Sequence, residues 1–322
     1  MTARVFIDGE AGTTGLQIGE RLTGRGEFEL LRLADHERKD RDHRAAMLNA
    51  ADVVILCLPD DAARQAVAMI DNPAVKVIDA STAHRVSDGW VYGFPEYSAD
   101  QARLIAEASR VTNPGCYALA SVAIIHPLVA AGLLPADWPL TINAVSGYSG
   151  GGNAMIASFE DAASPDPIHS AFFAYGLGLT HKHVPEIERR GGLTRRPLLV
   201  PSVGRYRQGM IVQIPLHLRD LPGAPDQDDI YRALAAHYAG SRFVSVADAA
   251  ESAAVARLYP EALNGTNGLR LHVFGNREHG QAVVAGVLDN LGKGASGQAV
   301  QNLNLMCGLD EDAGLDPAPT MS

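Results

Sequence analysis

The chain has 322 residues, of which 47% are hydrophobic, with 37 acidic side chains against 27 basic ones for a formal charge of −10, and three cysteines. That length supports about two domains with cores that need no disulfide staples, and an odd, small cysteine count argues against a disulfide framework and for a reducing compartment. An acidic balance without a run of Lys and Arg argues against nucleic acid or an anionic membrane as the main partner.

The opening residues show no basic segment leading into an apolar core, so no secretory leader is expected. Arg4–Asp8 is a short apolar run that meets glycines, and Leu16–Leu22 then carries apolar residues at helical spacing. Further strands are predicted at Phe28–Ala34, Asp52–Leu58 and Val75–Asp79, with helix-compatible segments between them, among them Asp61–Ile70 with Ala66, Val67 and Ile70 on one side. Apolar strands alternating with helices predict βαβ units and a parallel sheet covered on both faces.

Between the first strand and first helix lies Gly9-Glu-Ala-Gly12-Thr13-Thr14-Gly15. Glycines there allow a tight turn and close approach of a pyrophosphate, whose charge meets amides and the positive end of the helix. The spacing is G-x-x-G-x-x-G, not the G-x-G-x-x-G of the dinucleotide fingerprint, so position rather than motif carries the expectation. At the end of the second strand, Asp35 favours NAD through ribose hydroxyls, whereas Arg38, Lys39 or Arg41 suits a 2′-phosphate; the residues leave that choice open.

After the fourth strand come Ser81-Thr-Ala-His-Arg85, at the carboxyl edge where parallel sheets bind ligands; Arg85 suits a phosphate or carboxylate. Cys57 reads as a small hydrophobe inside an apolar strand, and Cys307 has no basic or His neighbour. Cys116 differs. It follows Thr112-Asn-Pro-Gly115 and opens the nearly uncharged stretch 116–134, predicted as a buried core helix that ends or kinks near Pro127 rather than a membrane span. A helix N-terminus favours the thiolate, which makes Cys116 the candidate nucleophile.

Ser146-Gly-Tyr-Ser149-Gly-Gly-Gly152 offers backbone amides to an anion. Of 11 histidines, His181 and His183 stand together before Pro185-Glu186; in an extended segment residues two apart share a face, so both imidazoles reach one site. No third ligand at zinc spacing accompanies them, and no metal is expected.

On Asn113-Pro-Gly-Cys116-Tyr117, the upstream glycine loop and His181-Lys-His183-Val-Pro-Glu186, the chain resembles the N-acetyl-γ-glutamyl-phosphate reductase family. The likeness runs nearly end to end, through residues 146–151 and the closing stretch Leu288–Asn302, and the glycine loop is similar to that of the family's shorter branch. The resemblance implies a fold shared with aspartate-semialdehyde and glyceraldehyde-3-phosphate dehydrogenases. It comprises an α/β Rossmann-type parallel-sheet cofactor domain, residues 1–116 with a returning helix in 297–322, and an α+β substrate and oligomerisation domain, 117–296, with a mixed or antiparallel sheet.

The implied reaction is NADPH-dependent reduction of N-acetyl-γ-glutamyl phosphate to N-acetylglutamate semialdehyde, in arginine biosynthesis, by a cytoplasmic homo-oligomer. The resemblance makes Cys116 the nucleophile, gives acid/base work to His181 or His183 with His181 favoured, and assigns Arg85, Asn113 and Ser149 to substrate. It assigns Gly9, Gly12, Thr13, Thr14, Gly15, Ser81 and Asn290 to cofactor, with the 294–297 turn near the nicotinamide. Rival readings are an aspartate-semialdehyde dehydrogenase, a cofactor-free Cys-His hydrolase or acyltransferase, and a nucleotide-binding regulator without turnover.

Overall fold

Runs of valine, isoleucine and leucine closed by polar or glycine residues build a first sheet in the computed structural model, which describes residues 2–34, 36–38 and 40–317. The elements run β1 (Ala3–Asp8), α1 (Thr13–Leu22), β2 (Phe28–Leu31), α2 (Arg41–Ala50), β3 (Val53–Leu56), α3 (Asp60–Ala68), β4 (Lys76–Asp79), β5 (Val91–Tyr92), α4 (Gln101–Glu107) and β6 (Arg110–Thr112). All pairs are parallel, in the order β2-β1-β3-β4-β6-β5. Every residue of β3 is buried, as expected when both faces of a parallel sheet are covered. On one face Phe6, Val54, Leu56 and Val77 pack with Leu48 of α2 and Ala63 and Ala66 of α3, and Val67 and Ile70 close the margin.

Two strands are shorter than their apolar runs. The edge strand β2 leaves β1 after Leu31 pairs with Phe6, and β3 stops at Leu56, so Cys57 sits one residue beyond the strand with its N–H still donating to Asp8 O at 2.8 Å.

The second unit comprises α5 (Cys116–Ala130), β7 (Thr141–Gly147), α6 (Gly152–Glu160), β8 (Phe172–Ala174), α7 (Val184–Gly191), β9 (Leu198–Gly204), β10 (Met210–His217), α8 (Gln227–His237), β11 (Val244–Val246), α9 (Ala249–Ala254), β12 (Leu269–Asn276) and β13 (Gln281–Leu288). Its seven-stranded mixed sheet runs β11-β12-β13-β10-β7-β9-β8. Helix α5 is apolar on all sides and packs against β10 and β13 of this sheet and against α7 and α8, which is how such a helix is accommodated.

Pro127 does not end α5. Proline has no N–H for the carbonyl four residues back, and that carbonyl, Ala123 O, instead accepts from the buried Tyr238 hydroxyl at 2.7 Å. The helix runs on to Ala130. Among the described residues no helix is long and apolar enough to cross a membrane.

The last helix, α10 (Gly297–Met306), belongs to the first unit, burying Ala299, Val300, Leu303 and Met306 there. Asn302 Nδ2 donates to Gly93 O at 2.9 Å and to Asn113 Oδ1 at 3.0 Å, and Lys76 Nζ donates to Met306 O at 2.7 Å. The first unit comprises residues 1–95, 99–114 and 295–315; the second comprises 96–98, 115–294 and 316–322, so Cys116 falls in the second.

Candidate active site

In the first unit the strand order reverses between β1 and β3, the point where ligands of doubly wound sheets bind. The glycine loop turns there. Gly9 has φ +93°, and a Cβ on it would stand 2.4 Å from Cys57 O; one on Gly15 would stand 2.5 Å from Gly9 O. Side chains are therefore excluded on two sides of the loop. Gly12 N-caps α1 without a side-chain bond, and the first helical amides, from Thr13 onward, have no acceptor within the helix. Beside the loop is a cavity of about 280 Å³ lined by Asp8, Gly9, Ala11, Arg38, Arg44 and Leu58, among others. Arg44 is held by Asp8 at 2.7 Å, while Arg38 is exposed. The cradle fits a dinucleotide. Asp35 and Lys39 lie outside the described residues.

At the end of β4, the fully buried Asp79 accepts from Ser81 N–H and Oγ–H at 2.9 and 2.8 Å and meets His84 Nδ1 at 2.6 Å. His84 stacks on Trp90. Arg85 is buried in this unit and donates to Ala80 O at 3.1 Å. Asn113 is buried too: its amide donates to Ala295 O at 3.0 Å and accepts from Asn302, so both ends brace the chain.

In the second unit Cys116 is the first residue of α5, after an extended N-cap, Gly115. The Gly115 N–H donates to Glu186 Oε1 at 3.1 Å, and Glu186, buried in the first turn of α7, thereby ties the two helix starts together. Gly294 completes the setting. A Cβ there would stand 2.8 Å from Cys116 Cβ, so only glycine lets the turn reach the cysteine. That segment, a single π-helical turn over Gly292–Ser296, is held by Lys293, fully buried with Nζ 2.7 Å from Glu96 Oε1.

Cys116 lines a cavity of about 200 Å³ with Tyr117, Met155, Tyr175, His181, Lys182 and His183. Residues 181–183 are not extended as expected. They form a turn, closed by Val184 N–H donating to His181 O, that leads into α7, yet the two imidazole centroids are still 4.8 Å apart. His181 Nδ1 accepts from the His183 N–H at 3.2 Å, so the neutral ring carries its proton on Nε2, which faces the Tyr175 hydroxyl at 3.3 Å. Tyr117 sets its ring edge-on to His181 and its hydroxyl on Ser202 O at 3.2 Å.

Burial pushes both phenols up, Tyr117 well above its usual range and Tyr175 to about 12, and a negative Cys116 adds to each; both stay protonated donors. The other two thiols are held protonated. Burial, with Asp79 and Asp8 near, pushes Cys57 up to about 12, and burial also raises Cys307.

Ser149 and Asn290 are both buried and joined to each other: Asn290 Nδ2 donates to Ser149 Oγ at 3.0 Å, and its Oδ1 accepts from Gly209 N–H at 2.7 Å. They brace the loop beside the cavity. Sequence reasoning quoted Glu186 without a role and passed over Tyr175, Met155 and the contact of Gly294 with Cys116. Acidity in the first turn of α7 was the available signal for Glu186; the others carry none. Among the described residues no group of three His, Cys, Asp or Glu is arranged to hold a metal.

Residues 4–105 match the model of the semialdehyde dehydrogenase NAD binding domain, and residues 116–290 that of the semialdehyde dehydrogenase dimerisation domain. The N-acetyl-gamma-glutamyl-phosphate reductase of Burkholderia lata is 56% identical, over 96% of this chain and 98% of its own. That of Brucella ovis is 52% identical, over 96% of this chain and all of its own. The chain belongs to the N-acetyl-γ-glutamyl-phosphate reductase family. It is an oxidoreductase, and its first unit is a nicotinamide nucleotide domain. Solved aspartate-semialdehyde dehydrogenases share the fold at low identity: that of Francisella tularensis at TM-score 0.70 and 13% identity, covering 95% of this chain and 100% of its own, and that of Candida albicans with NADP at 0.63 and 14%, covering 95% and 98%.

Proposed function

We propose that the chain reduces N-acetyl-γ-glutamyl phosphate with NADPH to N-acetylglutamate semialdehyde and phosphate, through a thioester on Cys116. The observation that carries it is one cavity lined by a helix-N-terminal cysteine and a histidine pair, in a chain 52–56% identical, nearly end to end, to reductases of that name. The 13% identity to an aspartate-semialdehyde dehydrogenase makes that rival the weaker reading.

The Cys116 thiolate, favoured at the start of α5, attacks the acyl carbon; a C–S bond forms, the C–O bond to phosphate breaks, and phosphate leaves. Amides at the start of α5 stabilise the oxyanion of the tetrahedral intermediate. When bound, the nicotinamide supplies the hydride that reduces the thioester. In its protonated form His181 gives a proton to the resulting oxyanion; the neutral imidazole then takes it back as base when the thiohemiacetal collapses to aldehyde and thiolate. Tyr175 holds that imidazole in place.

Gly12, Thr13, Thr14 and Gly15 hold the pyrophosphate, and Arg38 at the same cavity meets a 2′-phosphate, which favours NADP over NAD. The name of the dimerisation-domain model and an apolar trough of about 350 Å³ on the second sheet, with Leu216, Phe274 and Val283, support a homo-oligomer. Free cysteines suit the cytoplasm. The test is phosphate-dependent NADP reduction by N-acetylglutamate semialdehyde. Activity in the wild type that is lost in Cys116→Ser, with NADPH binding kept, is expected; loss of nucleotide binding in that variant contradicts the assignment.

A further inference from the structure

The acyl group proposed above carries a second, non-reacting anion, the α-carboxylate, four bonds from the carbon that Cys116 attacks. Enclosing an unpaired carboxylate is costly, so the cavity needs a cation for it. Among the described residues, Lys182 is the one Lys or Arg lining that cavity. Its neighbours on both sides are the histidine pair, and the turn at 181–184 directs it to the same cavity. Among the described residues no carboxylate of the protein is paired with it, in contrast to Lys293, which Glu96 neutralises.

Among the described residues the remaining walls supply no permanently charged cation, since the imidazoles of His181 and His183 are the pair given to proton transfer. Tyr117 and Tyr175 are neutral phenols, Met155 and Val203 are apolar, and His181 has its Nδ1 occupied by the His183 N–H and its Nε2 facing Tyr175. We propose that Lys182 is the α-carboxylate anchor of the acyl pocket, which makes this enzyme selective for amino-acid-derived acyl phosphates over those lacking the carboxylate. The proposal rests on the reductase reading above. An exposed lysine with a free ammonium also explains how the anion enters without displacing a protein partner.

The experiment compares two aldehydes in the NADP- and phosphate-dependent oxidation: N-acetylglutamate semialdehyde, and 4-acetamidobutanal, which is the same molecule without the carboxylate. In Lys182→Met the KM for the first rises about 10- to 100-fold, the range of a charged hydrogen bond, with kcat changed far less. The same variant matches the wild type on 4-acetamidobutanal, and Lys182→Arg recovers most of the loss. An active wild type with Lys182→Met unchanged, or with equal losses on both aldehydes, overturns the anchor alone. A folded wild type that binds NADP yet turns over neither aldehyde overturns the reductase reading and the anchor with it.

Discussion

Gly294→Ala tests how tightly the turn fixes Cys116, the proposed nucleophile. The added Cβ would stand 2.8 Å from Cys116 Cβ, 3.4 Å from its Cα and 3.2 Å from Asp289 O. Carbon atoms settle at about 3.5–4.0 Å, so the contact must open by roughly 0.7–1.2 Å. The turn has little room to yield: Gly294 N–H is bonded to Asp289 O at 2.9 Å and Lys293 is anchored on Glu96. The movement therefore falls partly on the start of α5. Overpacking of this kind costs about 1–3 kcal/mol, and a misplacement of about 1 Å at a reacting group lowers turnover by about 100-fold. The expected outcome is kcat down by that order, KM nearly unchanged, slower alkylation of Cys116 by iodoacetamide, and Tm lower by about 2–4 °C for each kcal/mol lost. Wild-type kcat together with a wild-type alkylation rate would refute the reasoning.

Tyr238→Phe strips Ala123 O of its donor beside Pro127 and should destabilise the protein by about 1–3 kcal/mol without changing KM; an unchanged denaturation midpoint contradicts that account. Arg38→Ser should weaken NADP binding about tenfold and leave NAD unaffected in a fluorescence titration, whereas equal losses for both would place the 2′-phosphate elsewhere. At about pH 8 iodoacetamide should label Cys116 first. Cys57 stays a protonated, unreactive thiol until the pH nears about 12, and peptide mapping that finds it labelled as fast as Cys116 would show its environment to be misjudged.

Local patterns revealed what local physics decides. The first sheet was readable because β1, β3 and β4 are unbroken aliphatic runs, and Cys116 because an Asn-Pro-Gly turn and a helix start are adjacent in sequence. Pro127 shows the boundary of that method: whether the helix stops depends on Tyr238, which arrives from α8's far end, and no window around the proline contains it. The turn at 181–183 misled the reading of an extended pair, yet the histidines met anyway, since a tight turn also brings nearby side chains together. Asn113, Ser149 and Asn290 carry the same amide or hydroxyl chemistry whether they touch a ligand or brace a loop; only their partners, distant in sequence, separate the two uses.

The return of α10 to the first unit sets an order of events during synthesis. The parallel sheet is translated first, but Gly93 O and Asn113 Oδ1 wait for Asn302, and the Lys76 ammonium waits for Met306 O. The body of the second unit, residues 96–98 and 115–294, has its parts in hand before the ribosome reaches α10, and only the segment from Asp316 on, which accepts from Asn267 N–H, comes later. The earliest-made unit thus closes only after the body of the second has been made, and chains arrested before residue 297 should protect amides in β10 and β13 from exchange while leaving those in β4 and β6 open.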